Sequence, residues 1–145
     1  MLRVFLDSSV VIAGSASSTG ASRAVLILAE IGLFKAIVSQ QVIDECQRNL
    51  AKKLPAAMPA FLELLTRLAL EVVDDPAPQE ITRWQTIIEA KDAPILAAAL
   101  GAKANRILTL NTKDFTPEVA LQAGIIVQTP AQFIQNLRDV IARQA

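Results

Sequence analysis

Four short apolar runs, each stopped by polar or turn-forming residues and separated from the next by stretches with helical spacing, constrain this chain more than any other feature. RVFL (3–6), KAIVS (35–39), RILTL (106–110) and IIVQ (125–128) have the length and the β-branched content of strands. They are continuously apolar rather than alternating, so both faces of each strand must be covered, the pattern of a parallel sheet between helices. The intervening segments supply those helices. Gln40 to Leu54 places Ile43, Cys46, Leu50 and Leu54 on one face. Ala24, Leu28 and Ile31 recur at helical spacing between a candidate cap at Ser22 and Gly32, and the small residues from Gly14 to Ser22 read as a loop. Pro55 and Pro59 interrupt the chain ahead of a helix at about 59–70, since proline is tolerated in a first turn. EVVDDPAP (71–78) reads as a short strand or extended turn. Further helices are expected over 81–89, 91–104, from Pro117 after a cap at Thr116, and over 129–144. The expected fold is α/β, a three-layer α/β/α sandwich with a central, mostly parallel sheet of four to five strands. With 145 residues, no repeat and no linker, the expectation is one domain spanning 1–145.

What the chain lacks narrows its chemistry. It has no His, so no imidazole serves as general base or metal ligand, and catalytic arrangements built on Ser and His or Cys and His are absent. A single Cys, Cys46, makes neither an internal disulfide nor a zinc site. Any metal would be held by oxygen ligands, which selects a hard cation, Mg²⁺ or Mn²⁺. Fourteen basic residues balance fourteen acidic ones, so no global field draws the chain to nucleic acid, although a local basic strip beside an acidic pocket remains open. No apolar run approaches the ~18 residues of a membrane span, and one Arg followed by Asp7 does not read as an export signal. A cytoplasmic location without membrane attachment is the expectation.

In open parallel sheets, ligands sit outside the carboxyl ends of the strands. Asp7 directly follows the first strand, Asp114 follows the RILTL strand, and Asp92 opens the helix leading into it. On the Gln40 helix, Asp44 and Glu45 each project about 130° from the centre of the apolar face, so periodicity leaves the choice between them open. Each acid has an ordinary alternative role. Asp7 could cap a turn over Ser8 to Val10, Asp92 could cap its helix or point inward at something charged, Glu45 could be a solvated helix residue, and Asp114 a turn residue. Together they form an oxygen-rich set at one rim of the sheet.

The chain resembles the PIN-domain family, small metal-dependent nucleases that include toxins of bacterial toxin–antitoxin pairs. The resemblance rests on VFLDSSVVIAG, GLFKAIVSQQVIDECQRNL, KDAPILAAALGAKANRILTLNTKDF and GIIVQTPAQFIQNL in that order, over nearly the whole chain. It implies that Asp7, Glu45, Asp92 and Asp114 are the catalytic and metal-binding acids, with Ser9, Thr109 and Asn111 as secondary site residues. Ser9 stands where many members have Asn, and Asn111 where some carry a further carboxylate; both replacements reduce the charge or reach of the acidic set.

The implied activity is Mg²⁺- or Mn²⁺-dependent hydrolysis of RNA phosphodiester bonds. Four carboxylates balanced by two ions roughly 3.5–4 Å apart would activate a water and stabilise the leaving oxygen. Arg48, Lys52, Lys53, Lys91 and Lys113 are candidate contacts to the RNA backbone, or else solvated charges. Trp84 and the absence of Tyr leave few platforms for base stacking, while Phe34, Phe61, Phe115 and Phe133 read as core. An antitoxin protein and a second copy of the chain are the implied partners. The alternative is a catalytically weakened module of the same fold that binds RNA or protein. A receiver-type signalling domain, a dehalogenase-like phosphatase and a P-loop nucleotide binder each require residues absent here: an acidic pair after the first strand, a second Asp at position 9, or a GK(S/T) loop.

Overall fold

The computed structural model describes residues 1–144. Five strands, β1 (Arg3–Leu6), β2 (Lys35–Ser39), β3 (Glu71–Val73), β4 (Arg106–Leu108) and β5 (Ile126–Gln128), form one sheet in the order β3-β2-β1-β4-β5. Every pairing is parallel, with Val4 opposite Ala36 on one side of β1 and opposite Arg106 on the other. EVV therefore resolves as an edge strand. Eight α-helices flank the sheet: α1 (Ser8–Ala16), α2 (Ala21–Glu30), α3 (Gln40–Lys53), α4 (Met58–Arg67), α5 (Pro78–Trp84), α6 (Ala93–Gly101), α7 (Pro117–Ala123) and α8 (Pro130–Gln144). No single described helix is long and apolar enough to cross a membrane.

The sheet grows outward from β1 to β3 and then returns past β1 to β4 and β5. With right-handed crossovers, that reversal sends the two groups of connections to opposite faces. It also opens a crevice at the carboxyl ends of β1 and β4, where the order changes direction. Phe5, Leu6, Ile37, Ile107 and Leu108 are sealed from solvent at the centre of the core. Phe34, Phe61, Phe115 and Phe133 are all buried, as expected, and Phe34 meets Phe133 edge-to-face at 5.3 Å.

Several boundaries differ from the expected ones. Gly14 to Ala16 belong to α1 and not to a loop. Ser8, Val10, Val11, Gly14 and Ser15 are all buried in α1, so this helix has little polar face and no periodicity to betray it. Gly14 is small because α2 crosses there: a Cβ at this position would lie 2.4 Å from Leu26 Cδ1. The helix α2 starts at Ala21 after Gly20, whose φ of 93° suits only glycine, and Ser22 is not its cap. The expected 81–89 helix begins earlier, with Pro78 in the first turn, and ends at Trp84. The strand expected to run to Leu110 ends at Leu108, and the next residue, Thr109, directs its hydroxyl to Asp7 after β1. The cap at Thr116 is as expected, its hydroxyl accepting from Val119 N.

Candidate active site

The crevice between β1 and β4 opens on a cavity of about 380 Å³ lined by Asp7, Ser8, Ser9, Glu45, Arg48, Asn49, Lys91, Asp92, Ile95 and Asn111. Three of the four expected acids thus share one cavity, contributed by the end of β1, α3 and the start of α6. The fourth, Asp114, does not line it but reaches it through Asn111 and Lys91.

Asp7 sits in the N-cap position of α1, and its Oδ1 accepts from Ser8 N at 2.8 Å. The capping role and the site role coincide, because the start of a helix at a strand end presents a carboxylate and free N–H groups to the same crevice. Asp7 Oδ2 accepts from Thr109 Oγ1 at 2.7 Å and from Ser9 Oγ at 3.1 Å. These hydroxyls in turn accept from Asn111 N and Leu110 N, so two backbone donors of the loop after β4 are relayed onto the carboxylate. Asp7 is 7% exposed. Burial raises its pKa and outweighs the three donors that lower it, while Glu45 adds repulsion.

The choice between Asp44 and Glu45 is settled by the turn of α3. Asp44 accepts from Gln40 on the same helix and does not line the cavity. Glu45 accepts from Ser8 Oγ at 2.9 Å through Oε2 and from Gln41 Nε2 at 2.8 Å through Oε1. Ser8 and Gln41 were not among the sequence candidates, although Gln41 lies one helical turn before Glu45. Beneath them Cys46 is fully buried, and burial and the nearby Glu45 and Asp7 push its thiol up to about 12. It offers no nucleophile.

Asp92 occupies the position before α6, yet its side chain makes no capping bond and its backbone is already helical. The capping alternative is thereby removed. Its Oδ1 takes a long bond from Asn111 Nδ2, 3.5 Å, and its Oδ2 is buried without any partner. Burial, then its closeness to the Asp114 carboxylate and the charge of Asp7, push Asp92 up to about 7. Asp114 moves the opposite way, held down by its pairing with the Asp92 carboxylate, by the Asn111 amide that donates to it and by Lys91, whose Nζ lies 3.6 Å from Oδ2.

An orphaned carboxylate oxygen in a cavity whose other acids are oxygen donors fits a hard divalent cation. Asp7, Glu45 and Asp92 are the side chains that would hold it. Among the described residues, no three acidic or thiol groups are already arranged to hold a metal ion by themselves. Water or side-chain movement would complete the shell, as is usual for Mg²⁺. Of the basic candidates, Arg48 and Lys91 line the cavity, whereas Lys52, Lys53 and Lys113 do not. Trp84 is partly buried beneath the Arg83 guanidinium, 5.0 Å from its ring.

A parallel α/β domain with an acidic cavity at its switch point is a recognisable class, and sequence comparison assigns it. The PIN domain profile matches residues 3–113, and the chain belongs to that family. No curated protein matches the sequence significantly. Among solved structures, VapBC2 from Rickettsia felis, bound to a DNA fragment from its promoter, is similar with a TM-score of 0.66 and 20% identity over 88% of this chain and 98% of that one. VapBC-1 from nontypeable Haemophilus influenzae has a TM-score of 0.60 at 16% identity, covering 90% and 99%. VapC20 of Mycobacterium tuberculosis, described as a sarcin-ricin loop cleaving toxin, has a TM-score of 0.56 at 17% identity, covering 85% and 96%. At these identities the likeness is one of fold.

Proposed function

We propose that this PIN-domain protein is a divalent-metal-dependent endoribonuclease, acting as the toxin of a toxin–antitoxin pair. The observation that carries this reading is the buried, unpartnered Oδ2 of Asp92, a residue that lines the same cavity as Asp7 and Glu45. A carboxylate oxygen left so is costly unless a proton or a cation completes it. When bound, a divalent ion supplies an ionised water at neutral pH and offsets charge on the phosphate. The chain's own groups do the rest. Ser8, Ser9 and Thr109 hold Asp7 in one orientation, and Ser8 and Gln41 hold Glu45. Arg48 and Lys91, which line the cavity, would pair with phosphate oxygens of the substrate. The cavity is open and polar, which suits a strand of RNA rather than an enclosed small molecule.

An antitoxin partner is supported by the VapBC complexes among the similar structures, and a homodimer and a cytoplasmic site of action complete the proposal. The competing reading, a weakened binding module, draws on Ser9 and Asn111, the two departures from the family's usual pattern. Cleavage of single-stranded RNA in Mn²⁺ or Mg²⁺ decides between them. Wild type should cut, and Asp7→Asn should keep the fold while losing at least a hundredfold in rate, on the order of what one transition-state electrostatic group supplies. Equal cleavage by the two proteins, or none by wild type with metal present, refutes the nuclease reading.

A further inference from the structure

The two halves of the acidic site are satisfied in different ways. On one side, Asp7 and Glu45 take neutral donors only, and Ser8 joins them, its N donating to Asp7 and its Oγ to Glu45. A carboxylate offers about four lone-pair sites, so both keep free acceptor capacity, as does Asp92 Oδ2. On the other side, the Asn111 amide spans Asp92 and Asp114, with Nδ2 at 3.5 Å from one and 3.2 Å from the other. Its Oδ1 accepts from Asp114 N at 3.4 Å, which fixes the amide's orientation: turned over, its oxygen would face two carboxylates and its NH₂ would face an N–H. The Lys91 ammonium stands 3.6 Å from the same Asp114 oxygen.

We propose that Asn111 and Lys91 occupy the place of a second cation, so that the substrate-free protein binds one divalent ion, at Asp7, Glu45 and Asp92, with Asp114 kept as the counter-charge of Lys91. This rests on the metal-dependent reading above and departs from the two-ion balance that the four acids alone imply. The charges agree with it. With all four carboxylates ionised, as a bound cation would favour, Arg48 and Lys91 leave two formal negative charges, which one divalent ion cancels. For an ion to sit between Asp92 and Asp114, the amide would have to present its oxygen, and its NH₂ would then meet the Asp114 N–H.

Titration of EDTA-stripped protein with Mn²⁺, counted by calorimetry and by electron paramagnetic resonance of the bound ion, tests this without recourse to activity. Wild type should bind one Mn²⁺ per chain. Asn111→Asp should bind two and show the signal of a spin-coupled pair. Lys91→Gln should keep one ion and hold it about twofold to fivefold more tightly, the scale of one exposed charge pair. Two ions in wild type, one ion in a folded N111D, or unchanged affinity in K91Q each overturn the inference while leaving the nuclease reading in place. No Mn²⁺ bound by wild type removes the metal-dependent reading and this inference with it.

Discussion

Replacing Thr109 by Val changes almost nothing in shape and removes one hydroxyl from the most buried part of the site. Thr109 has no exposed surface, and its Oγ1 donates to Asp7 Oδ2 at 2.7 Å while accepting from Asn111 N at 3.0 Å. A hydrogen bond to a charged group contributes about 1.5–3 kcal/mol. Water can reach the partly buried Asn111 N, so a loss of about 2 kcal/mol is expected for Thr109→Val, a fall in melting temperature of roughly 4–8 °C for a domain this size. Thr109→Ser is the matched control. It keeps the hydroxyl and removes a methyl group, at a cost of about 1 kcal/mol. Urea unfolding in EDTA, with unchanged slope and shifted midpoint, measures both. If T109S proves less stable than T109V, methyl packing and not the bond to Asp7 is what Thr109 contributes, and the relay from Asn111 N to Asp7 fails as an account of the site. Loss of the donor also pushes Asp7 further toward its protonated form, so T109V should bind Mn²⁺ more weakly than T109S.

The metal-free protein should lose stability as pH rises. Asp92 is pushed up to about 7 in the folded chain against roughly 3.9 unfolded, so the folded state binds the extra proton, and stability present below about pH 4 is lost as pH climbs through about 7. Asp7 acts in the same direction, and the lowered Asp114 titrates below this window. Asp92→Asn should therefore flatten the urea midpoint between pH 5 and 8 in EDTA, and an unchanged slope would contradict the burial of Asp92. Gly14→Ala should destabilise by about 1–3 kcal/mol through overpacking, since Leu26 is fully buried and the Ser22 carbonyl lies 3.1 Å from the added carbon. That cost opposes a helix-propensity gain of about 1 kcal/mol, so a higher urea midpoint in G14A would rule out the close crossing of α1 and α2.

Much of the architecture was legible in the residue order because burial on both faces leaves a continuous apolar run, as in VFL, AIV and IL. The helices α3 and α8 were legible for the complementary reason that one face of each meets water. The helix α1 was not, because a helix buried nearly all round shows no period. The site was legible as a set of strand-end positions but not as a geometry. Asp7 sits where a strand stops and a helix starts, an arrangement local enough to infer. The choice of Glu45 over Asp44 depended on the rotation of α3 against α1, which no spacing along α3 encodes.

The amino-acid order alone determined the parallel sheet and the absence of imidazole from any site, since these follow from side-chain chemistry and from hydrophobic patterning within short windows. Only the tertiary structure decided which acid lost its partner and which gained one. Asp92 and Asp114 are 22 positions apart, and Asn111, which spans them, bridges a helix start to a loop after β4. Desolvation and charge coupling depend on distances through space, and those exist only once the crossover from α6 to β4 has closed.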